Sequence, residues 1–478
     1  MKEFLPWLFK AAGQGYCVTS IREMKSMIVK RTTLLLGIVG VCLYGYLQVV
    51  GVAQTSVTQT TTLPKIPTPV IPPKVFRITD YGAQGDGKTL DTVALQKTIA
   101  ACSEAGGGTV LVPPGTFLIG PCTLASNMNL HLEKGATLLL SNNPSDYVLR
   151  ENRFQDCIAA KDCHDIAITG AGTIDGQGAY WWEHSVKPKN APANTPTPPH
   201  RPFLVVLTHC TRVLVQDISL INSPMFHLVP QRCQDVRIEG VHITAPEKAP
   251  NTDAIDPAGW NFFITKCVLN VGDDCIAVKP SALMEPGRPS CDNFLITDCQ
   301  FLHGHGMSIG GQTPGGLRNM TVRNCTFEGT DAGIRLKASR GSGGLVEDVT
   351  YENLNMKAVK VPILITSYYN NNSPTDRARV NPAQDVAQPV DAKTPIWRHI
   401  RINNVTAEGS GVAGQIFGLP EMPVSDVVLT DVHIAASKGM EIVHAKGIQF
   451  VNSQVNAKSG APVVLADAQV TGIATVGK

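Results

Sequence analysis

Four aspartates fall within APNTDAIDPAGWNFFITKCVLNVGDDCIAVKP, residues 249–280, a stretch that otherwise reads as strand and turn. Asp273 and Asp274 are neighbours, and Asp253 precedes Asp273 by twenty positions. Crowded carboxylates raise one another's pKa, so such a set suits a solvated edge, a cation site, or an acid paired with a base. Further on, HGHG at 303–306 offers His305, and RLK at 335–337 places Arg335 and Lys337 on alternate positions. Alternate residues of a strand point to one side, so this pair could hold an anion. Hydrolysis of a glycosidic bond needs a protonated acid at the leaving oxygen and a carboxylate that activates water. Carboxylates with split pKa values beside a cationic pair would join that chemistry to recognition of an acidic sugar. Each element alone has a plainer reading: a solvated Asp-Asp turn, a histidine bonded to backbone, a solvated basic face. Asp256, followed by Pro257, and Asp331 read as turn residues.

These groups are far apart in sequence, so a repeat must bring them together. Short alternating segments recur: RVLVQDI from Arg212, DVRIEGV from Asp235, NFFITKC from Asn261, NFLITDC from Asn293, NMTVRNC from Asn319 and DVTYENL from Asp348. Their starts are 23, 26, 32, 26 and 29 residues apart. Period-two alternation at such spacing argues for a solenoid of strands. The segments are short, β-branched and separated by Gly, Asn and Asp, which excludes helical repeats. The expected fold is all-β: a right-handed parallel β-helix. In TLDTVALQKTIAACSEAGGG, Leu95, Ile99 and Cys102 fall at helical spacing after Asp91 or Thr92 as cap, predicting an N-terminal helix over the open end of the coil.

The repeat predicts the stacking. Asp273 lies twelve residues after Asn261, as His305 does after Asn293, so the two are expected about one strand spacing, ~4.8 Å, apart. Asp274 then aligns with Gly306. With a one-residue shift, Gly333 follows Gly306 and Arg335 follows Ser308. NTDAI aligns with GDDCI, which brings Asp253 onto Asp274. Asp253, Asp273, Asp274, His305, Arg335 and Lys337 are therefore expected on one face.

The rest of the chain narrows the function classes. A net charge of +2 over 478 residues, with no basic block, gives no reason to expect nucleic acid as a partner. Lys25, Lys30 and Arg31 precede the apolar run Leu34–Ala53, the pattern of a signal peptide; Met24 or Met27 would be natural starts. The rival reading is an uncleaved membrane anchor, because the run is long. Residues 1–53 are thus assigned to an extension and signal, 54–75 to a Thr/Pro-rich linker, and 76–478 to the β-helix. After cleavage no stable membrane insertion is expected, and the location is secreted or periplasmic. The eleven cysteines past the linker show no CxxC pattern, which argues against zinc. Cys157 could pair with Cys163, and the others suit buried positions in strands.

NTD at 251–253, GDD at 272–274, GHG at 304–306 and RLK at 335–337 resemble, in order and spacing, the four motifs of glycoside hydrolase family 28, the polygalacturonases. FRITDYGAQGDGKTLDT, GGGTVLVPPGTFLIGP and ITGAGTIDGQG resemble the opening coils of that pectin-depolymerase β-helix, so the likeness runs from Phe76 onward. It implies metal-independent, cofactor-free, inverting hydrolysis of α-1,4 bonds in homogalacturonan or an oligogalacturonide. By position it implies Asp274 as general acid, Asp253 and Asp273 as the groups that activate water, and His305 as the residue that tunes their ionisation. Arg335 and Lys337 would bind the sugar carboxylate. A substrate-contacting tyrosine is also implied after the RLK coil; Tyr369 is chosen over Tyr368. Two positions depart from the family: RLK replaces RIK, and Ala254 stands where glycine is usual, so its methyl group either crowds the cleft or is tolerated by the coil.

Rhamnogalacturonan hydrolase is an alternative within the family. A calcium-dependent pectate lyase would use the aspartates as cation ligands, and a carbohydrate-binding solenoid would bind without turnover. Segments 180–202 and 370–397 could close a cleft and decide endo against exo action, with Trp181 and Trp182 as possible sugar platforms. A monomer is expected, because a solenoid closes on itself.

Overall fold

The computed structural model describes residues 66–184, 192, 194–281, 283–369, 381–474 and 476–477. Leu63–Lys478 form one compact unit. The export segment expected up to Ala53 lies outside the described residues, as do residues 370–380 of the second long loop. Among the described residues no helix is long and apolar enough to cross a membrane.

The repeat spacing becomes strand register. Val213 pairs with Val236, then Phe262, Phe294, Met320 and Val349 in turn, all in parallel. Each predicted segment is thus one rung of the same sheet in a right-handed parallel β-helix. The Asn or Asp that opens these segments has a local cause. Asp235, Asn261, Asn293, Asn319 and Asp348 all sit in the left-handed region, φ 55° to 62°, where short polar side chains are tolerated best. Their side chains also bond from coil to coil: Asn293 Nδ2 donates to Asn261 Oδ1 and Asn261 Nδ2 to Asp235 Oδ1, both at 2.8 Å.

Inward residues fill the coil in stacks. Phe262 lies on Phe294 with ring centroids 4.6 Å apart and planes 4° apart; Phe301 lies on Phe327 at 4.4 Å and 5°. All four are buried. Because each ring is gripped by its neighbours above and below, Phe262→Ala should leave a cavity that cannot collapse. A loss of about 3–5 kcal/mol is expected, read as a lowered denaturant midpoint.

The first helix, α1 (Thr92–Glu104), buries Leu95, Ile99 and Cys102 against the first coils. Asp91 precedes it but does not cap it: with φ −86° and ψ 6° its carboxylate turns away and accepts from the amides of Gln84 and Gly85. The start of the Thr/Pro-rich segment that is described lies along the coil, with Ile66 packed on Phe263 and Leu295 and the Val70 amide donating to Asp165. The described cysteines are all unbridged. Cys157 packs beside the Tyr147 hydroxyl while Cys163 donates to Lys161 O, so the expected Cys157–Cys163 bond is absent.

One of the three faces carries the candidate site. Among its strands are β1 (Ile158–Lys161), β2 (Val205–Thr208), β3 (Leu228–Gln231), β4 (Ile276–Val278), β5 (Met307–Gly310), β6 (Ala332–Lys337) and β7 (Val361–Thr366). Ile255 bridges β3 and β4 as a single rung. In β4 to β6, Ile276, Met307 and Ile334 stack inward, so Ala277, Ser308 and Arg335 stack outward.

Candidate active site

Asp253 and Asp256 lie on the Ile255 rung, Asp273 and Asp274 just before β4, His305 just before β5, and Arg335 and Lys337 on β6. The expected stacking holds with one slip. Ser308 pairs with Arg335, and Ala254 N donates to Asp274 O, which sets Asp253 beside Asp274. Val268 pairs with Gln300, but Ile276 pairs with Met307, so the turn before β5 is one residue shorter than the repeat implies. His305 therefore reaches both aspartates: its Nδ1 is 2.8 Å from Asp273 Oδ1 and 3.7 Å from Asp274 Oδ1. The glycines around it permit this approach. Gly304 and Gly306 have φ 97° and 79°, and a Cβ at Gly306 would lie 1.9 Å from Ala332 O.

Asp274 is the hub. Only 1% exposed, it accepts from Arg335 Nη1 at 2.6 Å, Lys337 Nζ at 2.7 Å and Ser308 Oγ at 2.9 Å. Burial pushes this carboxyl up, yet Lys337, Arg335, Lys279 and His305 together outweigh it and hold Asp274 well below the usual range. Asp253 behaves oppositely: burial first, then Asp256, raise it well above an ordinary carboxylate. The two carboxylates are thus driven apart by their surroundings, with the proton favoured on Asp253 and Asp274 held ionised in the ligand-free site. Lys337, 3% exposed, is lowered by burial to about 8 despite its partner.

Tyr369 lies over the cationic pair, its ring 4.9 Å from Lys337 Nζ and 5.7 Å from the Arg335 guanidinium carbon. Tyr368 turns away, donating its hydroxyl to Asp385 at 3.0 Å. Asp273, Asp274 and His305 also bring three ligand atoms within 4.8 Å of one another, close enough to surround an ion. A divalent cation fits poorly there, because Arg335 and Lys337 already neutralise Asp274 and would repel it.

Stacked carboxylates, a histidine and two buried cations on one face of a parallel β-helix suit acid–base chemistry on an anionic substrate, and comparison with known proteins gives the family. The sequence profile of glycosyl hydrolases family 28 matches residues 102–457. This chain belongs to that family. As a family 28 member it is a glycoside hydrolase. A probable polygalacturonase of Vitis vinifera is 28% identical over 388 residues, covering 75% of this chain and 74% of the relative. The hyperthermoactive exopolygalacturonase of Thermotoga maritima superposes with a TM-score of 0.70 at 26% identity, over 82% of this chain and 94% of that one. A polygalacturonase of Erwinia carotovora gives 0.61 at 26% identity, over 86% and 98%.

Within this family 28 site the structure corrects several expectations. Asp256 is no turn residue: it is 1% exposed, and its carboxylate oxygens have no hydrogen-bond donor, only Lys279 Nζ at 3.4 Å. Lys279 went unnoticed altogether, although it also lies 3.3 Å from Asp253 and 3.9 Å from Asp274. Its signal was available, since Ala277 and Lys279 alternate as Arg335 and Lys337 do. Asp331, also read as a turn residue, pairs with His305 Nε2 at 3.3 Å. His303 bonds to backbone, its Nδ1 meeting the carbonyl of Val271 at 2.7 Å. Arg201, equally unforeseen, is buried and donates to Pro250 O and Asn251 Oδ1, both at 2.8 Å, fixing the bend that opens the NTD segment.

Ala254 is fully buried in the coil core, so its methyl group points away from the cleft and crowds nothing there. Trp181, on α2 (Ala179–His184), is also fully buried, edge-on to Tyr147, Phe154 and Tyr180. It is a packing residue and offers no sugar platform. Trp182 donates its indole N–H to Ser223 O at 3.1 Å.

Proposed function

We propose that this protein hydrolyses α-1,4-galacturonosyl bonds of pectic homogalacturonan without a metal, with inversion. The observation that carries this reading is the buried Arg335–Lys337 pair set directly against Asp274. Two desolvated cations beside a catalytic carboxylate suit a substrate that is itself a carboxylate. Asp274 protonates the leaving glycosidic oxygen, and Asp253 and Asp273 hold and activate the water. Lys279, within 4 Å of both Asp253 and Asp274, keeps the two carboxylates close without letting their charges collide. His305, held between Asp273 and Asp331, tunes their ionisation. Arg335, Lys337 and Tyr369 seat the galacturonate ring. The apolar run at 34–53 supports export, and the closed coil supports action as a monomer.

The protein should release reducing ends from polygalacturonic acid in the presence of EDTA, with no ultraviolet absorbance from unsaturated products. Absorbance that needs calcium would make it a lyase. Binding without any new ends would make it a carbohydrate-binding solenoid.

A further inference from the structure

Arg335 and Lys337 already hold an anion. Arg335 Nη1 lies 2.6 Å from Asp274 Oδ1 and Lys337 Nζ 2.7 Å from Asp274 Oδ2, one cation on each oxygen. Ser308 donates to Oδ1 as well. His305 Nδ1 stands 3.7 Å and Lys279 Nζ 3.9 Å from the same carboxylate, with Asp253, Asp256 and Asp273 around them. Asp331 and Tyr369 complete the charged and titratable groups facing the cationic pair. A carboxylate so gripped is ionised and has no proton to give, although glycosidic cleavage requires one at this position.

We infer that the substrate's own carboxylate displaces Asp274 from Arg335 and Lys337, and that this exchange of anions is what protonates the acid. The inference rests on the reading of Arg335 and Lys337 as the seat of a sugar carboxylate. Its logic is ion pairing in a desolvated place. Arg335 and Lys337 each bond one oxygen of Asp274, so a second carboxylate seated on them leaves one of the two anions without its partners. A buried carboxylate that has lost its partners neutralises itself by taking up a proton. The carboxylate that has just lost its partners is Asp274. It takes one proton from solvent, forming an O–H bond, and passes that proton to the leaving glycosidic oxygen during cleavage. When the product leaves, Asp274 returns to Arg335 and Lys337. An acidic sugar thereby arms the enzyme, whereas a methyl-esterified or neutral sugar at the same place leaves Asp274 clamped and ionised.

Galacturonate, which has no bond to cleave, tests this on the wild-type protein. Calorimetric titration in two buffers of different ionisation enthalpy, at mildly acid pH, should show uptake of about one proton per galacturonate bound. Galactose should cause none. Binding should weaken at least ~10-fold in Lys337→Met, the loss of a charge-assisted contact. In Asp274→Asn, which removes the competing anion, galacturonate should bind about tenfold tighter and without proton uptake. Lys337-dependent binding with no proton uptake in the wild type would overturn the exchange while leaving the carboxylate seat standing. Binding indifferent to Lys337→Met would overturn the seat, and the exchange with it. Weaker binding in Asp274→Asn would also overturn the exchange.

Discussion

Asp274→Asn is expected to lower kcat on polygalacturonate by about 10²–10⁴-fold, the range a general acid contributes. The substitution keeps the shape of the side chain and removes its proton chemistry. A loss of this size could also follow from disorder, since Arg335 and Lys337 would both lose a buried partner. Two readouts separate the causes. An aryl galacturonide, whose leaving group departs without protonation, should recover most of the lost rate if Asp274 is the acid, and none if the site has collapsed. KM for polygalacturonate should fall along with kcat, because the freed cations bind substrate carboxylate better; a damaged cleft would raise it. Full activity in Asp274→Asn would remove Asp274 from the mechanism.

The second large effect concerns stability. Asp256 is pushed from 3.8 up to about 7, chiefly by burial, with Lys279 opposing and Asp274 and Asp273 adding to the rise. A carboxyl whose folded pKa is raised holds its proton where the unfolded chain has lost it. Its contribution is therefore fully present below about pH 4, and it drains away as pH climbs through about 7. Three pKa units correspond to a cost on the order of 4 kcal/mol at alkaline pH. Asp256→Asn removes that cost and leaves Lys279 paired with Asp253 at 3.3 Å. The thermal midpoint of the variant should match the wild type near acid pH and exceed it by several degrees at mildly alkaline pH. Asp253 is raised too, so some alkaline decline remains in the variant. If both proteins lose the same stability between the two pH values, Asp256 is not the group responsible. Opposing this, Asp274 is held low, so its stabilisation is present above about pH 4 and is lost as pH falls through its own depressed range. The protein should accordingly be most stable in mild acid.

The coil was legible because its determinants are local. Alternation places Val236, Phe262 and Phe294 inward, and the left-handed positions call for Asn or Asp at the same point of each turn. Five spacings between the six segment starts, Arg212 included, therefore became five steps of strand register. The shared face of Asp253, Asp274, His305 and Arg335 followed from the same periodicity, as did the alternation that pairs Arg335 with Lys337.

Through-space neighbours were the part that only the tertiary structure decided. Pro257 made Asp256 look like a turn, and nothing in its local sequence announces that Lys279, from the next coil, closes over it. The turn before β5 is one residue short of the repeat, a slip that lets His305 serve two aspartates and that no offset reveals. Ala254 and Trp181 face the core because of how their backbones enter the coil, while their residue types fit either side. The charge state of Asp274 is the sharpest case. Its sequence neighbour is another aspartate, which should raise its pKa, yet two cations from β6, more than sixty residues away, hold it ionised. Periodicity repeats along a chain and can be counted, but electrostatic energy depends on distance in space and on exclusion of water, which are settled only once the coils are stacked.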